Sequence, residues 1–188
     1  MKYRVGIYGG MGCGKSTVID ELRRAGASVL VSDEVNASLA SNPDYVAGVT
    51  ALCPAAAAEG GVNKVVLRRW VLADESHRLA LMSLAHPLIR RSILAQSAEG
   101  LWFVELSVYV PDFIPLDEAW QVVCSPDVQM QRILFRGGWS REDAMRMVAA
   151  QNENGVAPDG AVRIDNDGNE AELRATVRRM YRELLSRT

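Results

Sequence analysis

Residues 9–17, with the sequence GGMGCGKST, combine the residue types that bind a phosphate chain. Gly9, Gly14, Lys15 and Ser16 match the spacing Gly-x-x-x-x-Gly-Lys-Ser, the P-loop pattern. Glycines allow backbone angles that turn several N–H groups toward one anion, and a helix that follows adds its positive N-terminal end. Lys15 would place a mobile charge near the β- and γ-phosphates, and the Ser16 hydroxyl would bind Mg²⁺. The stretch therefore predicts a nucleoside triphosphate site, but it does not say where the phosphate goes.

The same residues are compatible with a glycine-rich turn that carries an incidental lysine. The flanking sequence favours the nucleotide site, because residues 3–8 have a strand pattern and residues 15–25 have a helix pattern. Cys13 lies inside the loop, where a positive environment would make a thiol sensitive to oxidation. We prefer the simpler interpretation, in which Cys13 is a small residue at a variable position.

Strand and helix patterns alternate along most of the chain, which is typical of a parallel sheet covered by helices. The predicted strands cover residues 3–8, 27–31, 101–104, 119–125 and about 161–164. The predicted helices outside the central part cover residues 15–25, a stretch that begins at Pro126, and the end of the chain from Asn169. We therefore expect an α/β fold with a parallel five-stranded sheet flanked by helices.

About seventy residues separate the second and third predicted strands, and they have no strand pattern. Four stretches in this span have a helical pattern, namely PDYVAGVTAL, NKVVLRRWVLAD, ESHRLALMSLAH and PLIRRSILAQSA. The segment PAAAAEGG at 54–61 is interpreted as a low-complexity connector. We expect a single domain, residues 1–188, in which a helical insertion of about 42–98 binds the substrate.

Two carboxylates stand where predicted strands end. Asp33 follows the strand at 27–31, and Glu105 follows the strand at 101–104. In an open parallel sheet the ligand lies outside the carboxyl ends of the strands, where the P-loop also lies. An aspartate there can accept the proton of an attacking hydroxyl or orient that hydroxyl. Asp33 also fits a helix N-cap, and Glu105 fits either a residue that orients magnesium-bound water or a surface carboxylate.

Arg132 and Arg136 are four residues apart and therefore lie on one face of the helix that begins at Pro126. Gly137-Gly138 interrupts this helix before the next helical pattern. A hinge between two helices that carry arginines suits a lid that closes over phosphates and expels water. Two solvated arginines on a surface helix are the alternative, but the double glycine favours a lid at about 137–160.

Composition excludes several classes of protein. The chain has 188 residues, the size of one domain, and its net charge of −2 argues against a nucleic-acid binder with a basic surface. The cysteines Cys13, Cys53 and Cys124 and the histidines His77 and His86 match no disulfide or zinc pattern. No apolar run approaches the ~18 residues that span a membrane. We expect a cytoplasmic enzyme with reduced thiols, a monomer or weak homo-oligomer that binds neither nucleic acid nor membrane.

The chain resembles the dephospho-coenzyme A kinases, a family of P-loop kinases, along nearly its whole length. The matching stretches are GIYGGMGCGKSTV, VLVSDEV, GVNKVVLRRWVLAD, LMSLAHPLIRRSI, VVCSPDVQMQRILFR, SREDAMRMVAAQ and VRIDNDG, in the family's order and spacing. Many families share the P-loop, whereas its combination with HPLI at 86–89, QRILFR at 131–136 and IDN at 164–166 is much more specific. The resemblance implies a P-loop kinase fold and phosphorylation of the ribose 3′-hydroxyl of dephospho-coenzyme A, with ATP and Mg²⁺.

The resemblance also implies roles for particular residues. Asp33 corresponds to the catalytic base, Lys15 to the lysine of the ATP loop, and Arg136 to an arginine that neutralises the transferring phosphoryl group. His86 corresponds to an acceptor contact, although a helix-end residue bonded to the backbone fits it equally well. The residues that would bind ATP are Gly9, Gly10, Met11, Gly12, Cys13, Gly14, Lys15, Ser16, Thr17, Arg132, Asp165 and Asn166. The residues that would bind the acceptor are Asp33, Lys64, Arg68, His86 and Glu105.

Two stretches depart from the family pattern. After the third strand the chain reads VELSVYVPD, and Tyr109 replaces a glutamate of the family. Residues 151–162 include no basic residue, although the family carries cations there. These departures leave two alternatives open: a P-loop kinase for another small hydroxyl or nucleotide acceptor, and a nucleotide-binding module with little catalysis. The presence of Lys15, Ser16 and Asp33 together argues against the second.

Overall fold

Five parallel strands form the main sheet within residues 2–107, 109–153 and 157–188, which the computed structural model describes. Numbered in chain order with two short strands introduced below, they are β1 (Lys2–Gly9), β2 (Ser28–Val31), β5 (Gly100–Glu105), β6 (Glu118–Val123) and β7 (Val162–Asp165). Their order in the sheet is β2-β5-β1-β6-β7. The α/β fold and the parallel five-stranded sheet predicted from the sequence are confirmed.

The α-helices of the described residues lie between the strands and after the last one. They are α1 (Lys15–Arg24), α2 (Ser32–Ser38), α3 (Pro43–Leu52), α4 (Lys64–Ala73), α5 (Glu75–Gln96), α6 (Pro126–Arg136), α7 (Arg141–Glu153) and α8 (Glu170–Arg187). The predicted start of α6 at Pro126 is confirmed. Asn169 caps α8 in a capping box with Glu172, which also confirms the predicted start of that helix.

The chain divides into two compact units, residues 1–31 with 97–188, and residues 32–96. In the first unit, α1 packs against α8. The core of this unit is built from the apolar faces of the sheet and of these two helices. Its buried members are Val5, Ile7, Cys13, Val18, Ile19, Leu22, Phe103, Trp120, Val122, Ile164, Leu173, Val177 and Leu184.

The register of the sheet brings the ends of three strands together. Ile7 of β1 lies opposite Glu105 of β5, and Val31 of β2 lies opposite the same Glu105. The segment that follows β1 therefore leaves the sheet beside the carboxyl ends of β5 and β2. This is the edge where parallel sheets bind their ligands.

A buried carboxylate joins α1 to α8. Glu21 is 4% exposed, and it accepts hydrogen bonds from Arg178 Nη1 at 2.7 Å and from Arg174 Nη1 at 3.0 Å. Burial by itself raises the pKa of Glu21, but the hydrogen bonds from the two arginines outweigh burial, so the pKa lies below its ordinary value. Because the pKa is lower in the folded protein, ionised Glu21 stabilises the fold.

We expect the substitution Glu21→Gln to lower the free energy of unfolding by about 1–3 kcal/mol at neutral pH, because it removes a charged acceptor from two arginines. This difference from the wild type should be present above pH ~4.5 and should vanish as the pH falls through the lowered pKa of Glu21. Urea unfolding of both proteins between pH 3 and 7 measures it. Glu183→Gln, at an exposed position of α8, is the matched control and should change stability little at any pH. Equal stability of the wild type and Glu21→Gln at pH 7 would contradict the assignment.

In the second unit, α2, α3 and α4 each pack against α5. The two adjacent helical stretches predicted at 75–86 and 87–98 form one helix, because α5 continues through Pro87 from Glu75 to Gln96. A proline inside a helix removes one hydrogen bond and crowds the preceding turn, at a cost of about 3 kcal/mol. Burial of Ala85, Ile89 and Ile93 along one face of α5 offsets this cost.

The prediction that residues between the second and third strands form no strand is wrong. Within the segment 54–61 and its neighbour Val62, β3 (Ala57–Ala58) pairs with β4 (Gly61–Val62) in an antiparallel ladder. Strands of two residues built from alanine, glycine and valine show no alternating pattern, so the sequence did not reveal them.

None of the helices in the described ranges has the length and apolar character that crossing a membrane requires.

Candidate active site

The glycine-rich loop turns back on itself between β1 and α1. Gly14 caps α1 with φ 103°, and a Cβ at this position would lie 2.3 Å from Asn166 Nδ2. Gly9 has φ 151°, and its Cβ would lie 2.5 Å from the backbone oxygen of Val122. Only glycine tolerates both the backbone angles and the close approach of these neighbours. The loop thus has the strand–loop–helix setting that a P-loop requires.

Two buried amide side chains hold the loop from outside. Asn166 Nδ2 donates to the carbonyl of Cys13 at 2.7 Å, and Gln129 Nε2 donates to the carbonyl of Met11 at 2.8 Å. Both donors bond carbonyl groups of the loop, so the loop's N–H groups are not used in these contacts. The sequence drew attention to Asn166 only as a nucleotide contact, and it gave no signal for Gln129, because a glutamine on an amphipathic helix is ordinarily solvated.

Lys15 lies over this loop. Its Nζ donates to the carbonyl of Gly9 at 2.7 Å and lies 3.9 Å from Glu105 Oε1. Glu105 is 6% exposed and accepts a hydrogen bond from Ser107 Oγ at 3.3 Å. Glu105 is therefore a buried carboxylate at the loop rather than a surface residue, which corrects the surface alternative considered for it. An ammonium group held at the carboxyl end of β1 is placed to meet an anion bound by the loop.

The residues that follow Lys15 offer two hydroxyl groups at the start of α1. Ser16 is exposed and Thr17 is half-buried. Mg²⁺ in phosphotransferases is held by one or two side chains together with phosphate oxygens and water. An exposed hydroxyl at Ser16 and a carboxylate at Glu105 fit such an ion. The described residues contain no group of three or more His, Cys, Asp or Glu side chains that could hold a metal without a phosphate ligand.

A cavity of about 450 Å³ opens beside the loop. It is lined by Gly12, Gly14, Thr17, Gln131, Arg132, Phe135, Arg136, Asn166, Glu170 and Leu173. The structure therefore brings six of the predicted nucleotide-site or catalytic residues into one cavity, Gly12, Gly14, Thr17, Arg132, Arg136 and Asn166. Asp165 does not line it and instead forms an exposed ion pair with Arg163 at 2.7 Å.

The two arginines of α6 differ in their local contacts. Arg132 donates through Nη1 to the carbonyl of Asn166 at 2.9 Å, and its Nη2 lies 3.4 Å from the carbonyl of Gly168. These bonds fix its planar guanidinium group at the wall of the cavity. Arg136 is the last residue of α6 and lines the same cavity. It is followed by Gly137, whose φ of 74° ends the helix.

The segment after α6 has the geometry of a hinge between helices. Gly137 and Gly138 both have positive φ, and α7 begins at Arg141 after a cap in which Ser140 Oγ accepts from the N–H of Asp143 at 3.1 Å. That the segment at about 137–160 moves as a lid stays a prediction. Residues 154–156 of that span lie outside the part of the chain that the structure describes.

A thiol of the loop pairs with a thiol at the end of β6. Cys124, just after β6, donates through Sγ to Cys13 Sγ at 3.4 Å. Burial, followed by the contact with Cys13, raises the pKa of Cys124 to about 12. Cys124 therefore stays protonated at neutral pH and is a poor nucleophile. A separation of 111 residues hid this neighbourhood from the sequence.

Tyr109, part of the first departure from the family pattern, contacts the strand that leads to the loop. The ring of Tyr109 packs edge-on against Tyr8, with centroids 5.8 Å apart, and Tyr8 directly precedes Gly9. Burial raises the pKa of Tyr8 to about 12, so its hydroxyl stays protonated. Val108, within the same departure, lies outside the described residues.

Four predicted acceptor residues belong to the second unit. Asp33 is exposed in the first turn of α2, inside the helix, so the N-cap alternative is wrong. Because the helix begins at Ser32, directly after β2, Asp33 is its second residue, whereas an N-cap residue precedes the helix. Lys64 and Arg68 are exposed one turn apart on α4, and His86 lies within α5, so His86 is not a helix-end residue.

The fold and the site together define a P-loop kinase. The glycine loop lies between the first strand and the first helix of a parallel five-stranded sheet, and a lysine and two arginines lie close to it. Solved structures agree on the fold. A dephospho-CoA kinase from Campylobacter jejuni superposes with a TM-score of 0.72 at 20% identity, covering 98% of each chain. A protein from Thermus thermophilus gives 0.71 at 24% identity, covering 97% of this chain and 98% of the other.

The sequence comparisons define the family. The sequence model of the dephospho-CoA kinases matches residues 3–172. Dephospho-CoA kinases from Dechloromonas aromatica and Geobacter sulfurreducens are 32% and 30% identical, covering 96% and 94% of this chain and 92% and 96% of their own lengths. The chain belongs to the dephospho-CoA kinase family, which transfers phosphate from ATP in the last step of coenzyme A biosynthesis.

Proposed function

We propose that this chain transfers the γ-phosphoryl group of ATP to the ribose 3′-hydroxyl of dephospho-coenzyme A, and that Asp33, Lys15 and Arg136 carry the reaction. The observation that supports it most directly is the register at the carboxyl edge of the sheet. Val31, the last residue of β2, and Ile7 of β1 both lie opposite Glu105, so the strand that leads to Asp33 and the strand that leads to the P-loop end at one place.

In the proposed reaction, the acceptor oxygen attacks the γ-phosphorus while the bond from that phosphorus to the β–γ bridging oxygen breaks. ADP leaves with the electron pair of that bond, and Asp33 accepts the proton of the hydroxyl. Because the transition state spreads negative charge over the transferring oxygens, positioned cations lower its energy most. Lys15 supplies one of these charges from the P-loop, and Arg136 supplies another from the end of α6.

Mg²⁺, when bound, neutralises charge on the β- and γ-phosphates. We propose that the Ser16 hydroxyl holds it and that Glu105 orients a water molecule bound to it. Glu105 also lies 3.9 Å from the ammonium group of Lys15, so its charge favours the orientation that the bond to the Gly9 carbonyl gives this side chain. The two functions are compatible, because a carboxylate has two oxygens that each accept hydrogen bonds.

The exposed basic residues of α4 are proposed to bind the acceptor. Lys64 and Arg68 lie four residues apart, on one face of the helix. Cations at this spacing fit an anionic ligand such as the diphosphate of dephospho-coenzyme A. His86 on α5 is proposed as a further contact of the acceptor. The helical insertion predicted at about 42–98 would thus be the acceptor-binding part of the protein.

The proposal is tested by incubating the purified protein with ATP and Mg²⁺ and separately offering dephospho-coenzyme A, a nucleoside monophosphate and a sugar as acceptors. We expect ADP and one phosphorylated product, which comigrates with authentic coenzyme A and differs from the 2′-phosphate isomer. Faster turnover of another acceptor would overturn the assignment of the substrate. Nucleotide binding without turnover of any acceptor would show a binding module instead of an enzyme.

A further inference from the structure

Phe135 is an exposed aromatic side chain beside the phosphate loop. It lies on the last turn of α6, and 93% of its surface is accessible. A phenylalanine that is left in water forgoes the stabilisation of about 1.5–3 kcal/mol that burial provides. Its neighbour Ile133 is 1% exposed, so the helix already has a buried face and Phe135 does not belong to it.

The side chain of Phe135 lines the cavity that begins at the loop. Gln131, Arg132 and Arg136 line this cavity from the same helix, while Gly12 and Gly14 line it from the loop. The lining of the cavity therefore combines glycines of the phosphate loop, two cationic side chains and an apolar ring. A nucleoside triphosphate has the same two parts, since an anionic chain is joined through a sugar to a flat aromatic base.

We propose that the ring of Phe135 is the stacking platform for the base of the bound nucleotide. Two neighbours of Phe135 leave its ring available to a base. Arg132 donates to the carbonyl of Asn166 at 2.9 Å, and this bond would have to break before its guanidinium group could cover the ring of Phe135. Leu173 of α8, although it is only 3% exposed, also lines this cavity with an apolar side chain. This inference deepens the proposed function by naming a residue that sets the affinity for the phosphoryl donor.

Stacking makes a specific prediction about ligands. Every base has an aromatic face, so a stacking platform tolerates a change of base. The substitution Phe135→Ala should therefore weaken the binding of ATP and GTP by a similar factor of about 5- to 160-fold, which is the range for one base–aromatic contact. Inorganic tripolyphosphate, which has no base, should bind Phe135→Ala and the wild type within about twofold of each other.

Isothermal titration calorimetry with ATP, GTP and tripolyphosphate, without acceptor, measures these affinities. Leu185→Ala is the matched control, because Leu185 is a half-exposed apolar residue of α8 that does not line the cavity. An unchanged affinity of Phe135→Ala for ATP would overturn the proposal. An equal loss for tripolyphosphate would also overturn it, since Phe135 would then support the loop and not the base. A comparable loss in Leu185→Ala would overturn it as well.

A second variant, Phe135→Trp, keeps an aromatic ring and tests the proposal even if Phe135→Ala fails to fold. Phe135→Trp should bind ATP within about threefold of the wild type, and ATP should quench its added indole fluorescence beyond the response of the wild type. Absence of this additional quenching at saturating ATP would overturn the proposal. These measurements need no acceptor, so they succeed or fail independently of whether dephospho-coenzyme A proves to be the substrate.

Discussion

Replacement of Asp33 by asparagine is expected to lower the rate of phosphoryl transfer by about 10²- to 10⁴-fold, the usual contribution of a general base. Asparagine has nearly the same shape as aspartate, but its amide cannot accept the proton of the attacking hydroxyl. The affinity for ATP should stay near that of the wild type, because Asp33 is proposed to act on the acceptor. Single-turnover measurements at saturating ATP and dephospho-coenzyme A, with the affinity for ATP measured separately, would establish both values.

Glu34→Gln is the control for this substitution. Glu34 is the next residue in the same first turn of α2, it is exposed like Asp33, and its change removes the same charge. The control should keep a rate within a few-fold of the wild type. If Asp33→Asn kept the wild-type rate, Asp33 would have no part in the mechanism. If both variants lost activity equally, the charge of the helix start, and not a proton acceptor, would be responsible.

Replacement of Lys15 by alanine is expected to reduce turnover by about 10²- to 10³-fold, the size of the loss when one preorganised donor to the transition state is removed. The affinity for ATP should fall as well, because the ammonium group is proposed to contact the phosphates in the ground state. The bond from Lys15 Nζ to the carbonyl of Gly9, at 2.7 Å, is lost in the same variant. Steady-state kinetics and calorimetric titration with ATP separate the two effects.

Lys2→Ala serves as the control for Lys15, since Lys2 is an exposed residue at the start of β1 and lies outside the loop. It should keep both turnover and affinity. Thermal unfolding of Lys15→Ala shows whether the loop bond also matters for stability. Turnover and affinity of Lys15→Ala that both match the wild type would contradict the assignment of the glycine loop as the phosphate site.

Local patterns predicted most of the elements around this site. The strand before the loop, the helix after it, and the start of α6 at Pro126 all depend on residues that are near in sequence. The capping box at Asn169 is of the same kind. Such features can be predicted from the sequence because hydrophobic periodicity and caps involve residues within about one turn of each other.

Some features of this fold depend on residues that are far apart in the sequence. A proline disfavours a continuous helix, but the packing of α5 against the other helices of its unit keeps the helix intact through Pro87. Cys13 and Cys124 gave no sign of being neighbours, yet their sulfur atoms are 3.4 Å apart. Both features depend on contacts between distant parts of the chain, and a single sequence carries no record of those contacts.

The sequence by itself determined the P-loop motif, because the spacing of Gly9, Gly14, Lys15 and Ser16 is tied to the geometry of one phosphate chain. Tertiary structure decided how that loop is held and what surrounds it. The amides of Asn166 and Gln129 reach it from elements that lie more than one hundred residues further along the chain. Glu105 became a buried partner of Lys15 only through the pairing of β1 with β5. A motif can be predicted from its own residues, whereas the residues that hold it in place depend on which strands and helices pack beside it.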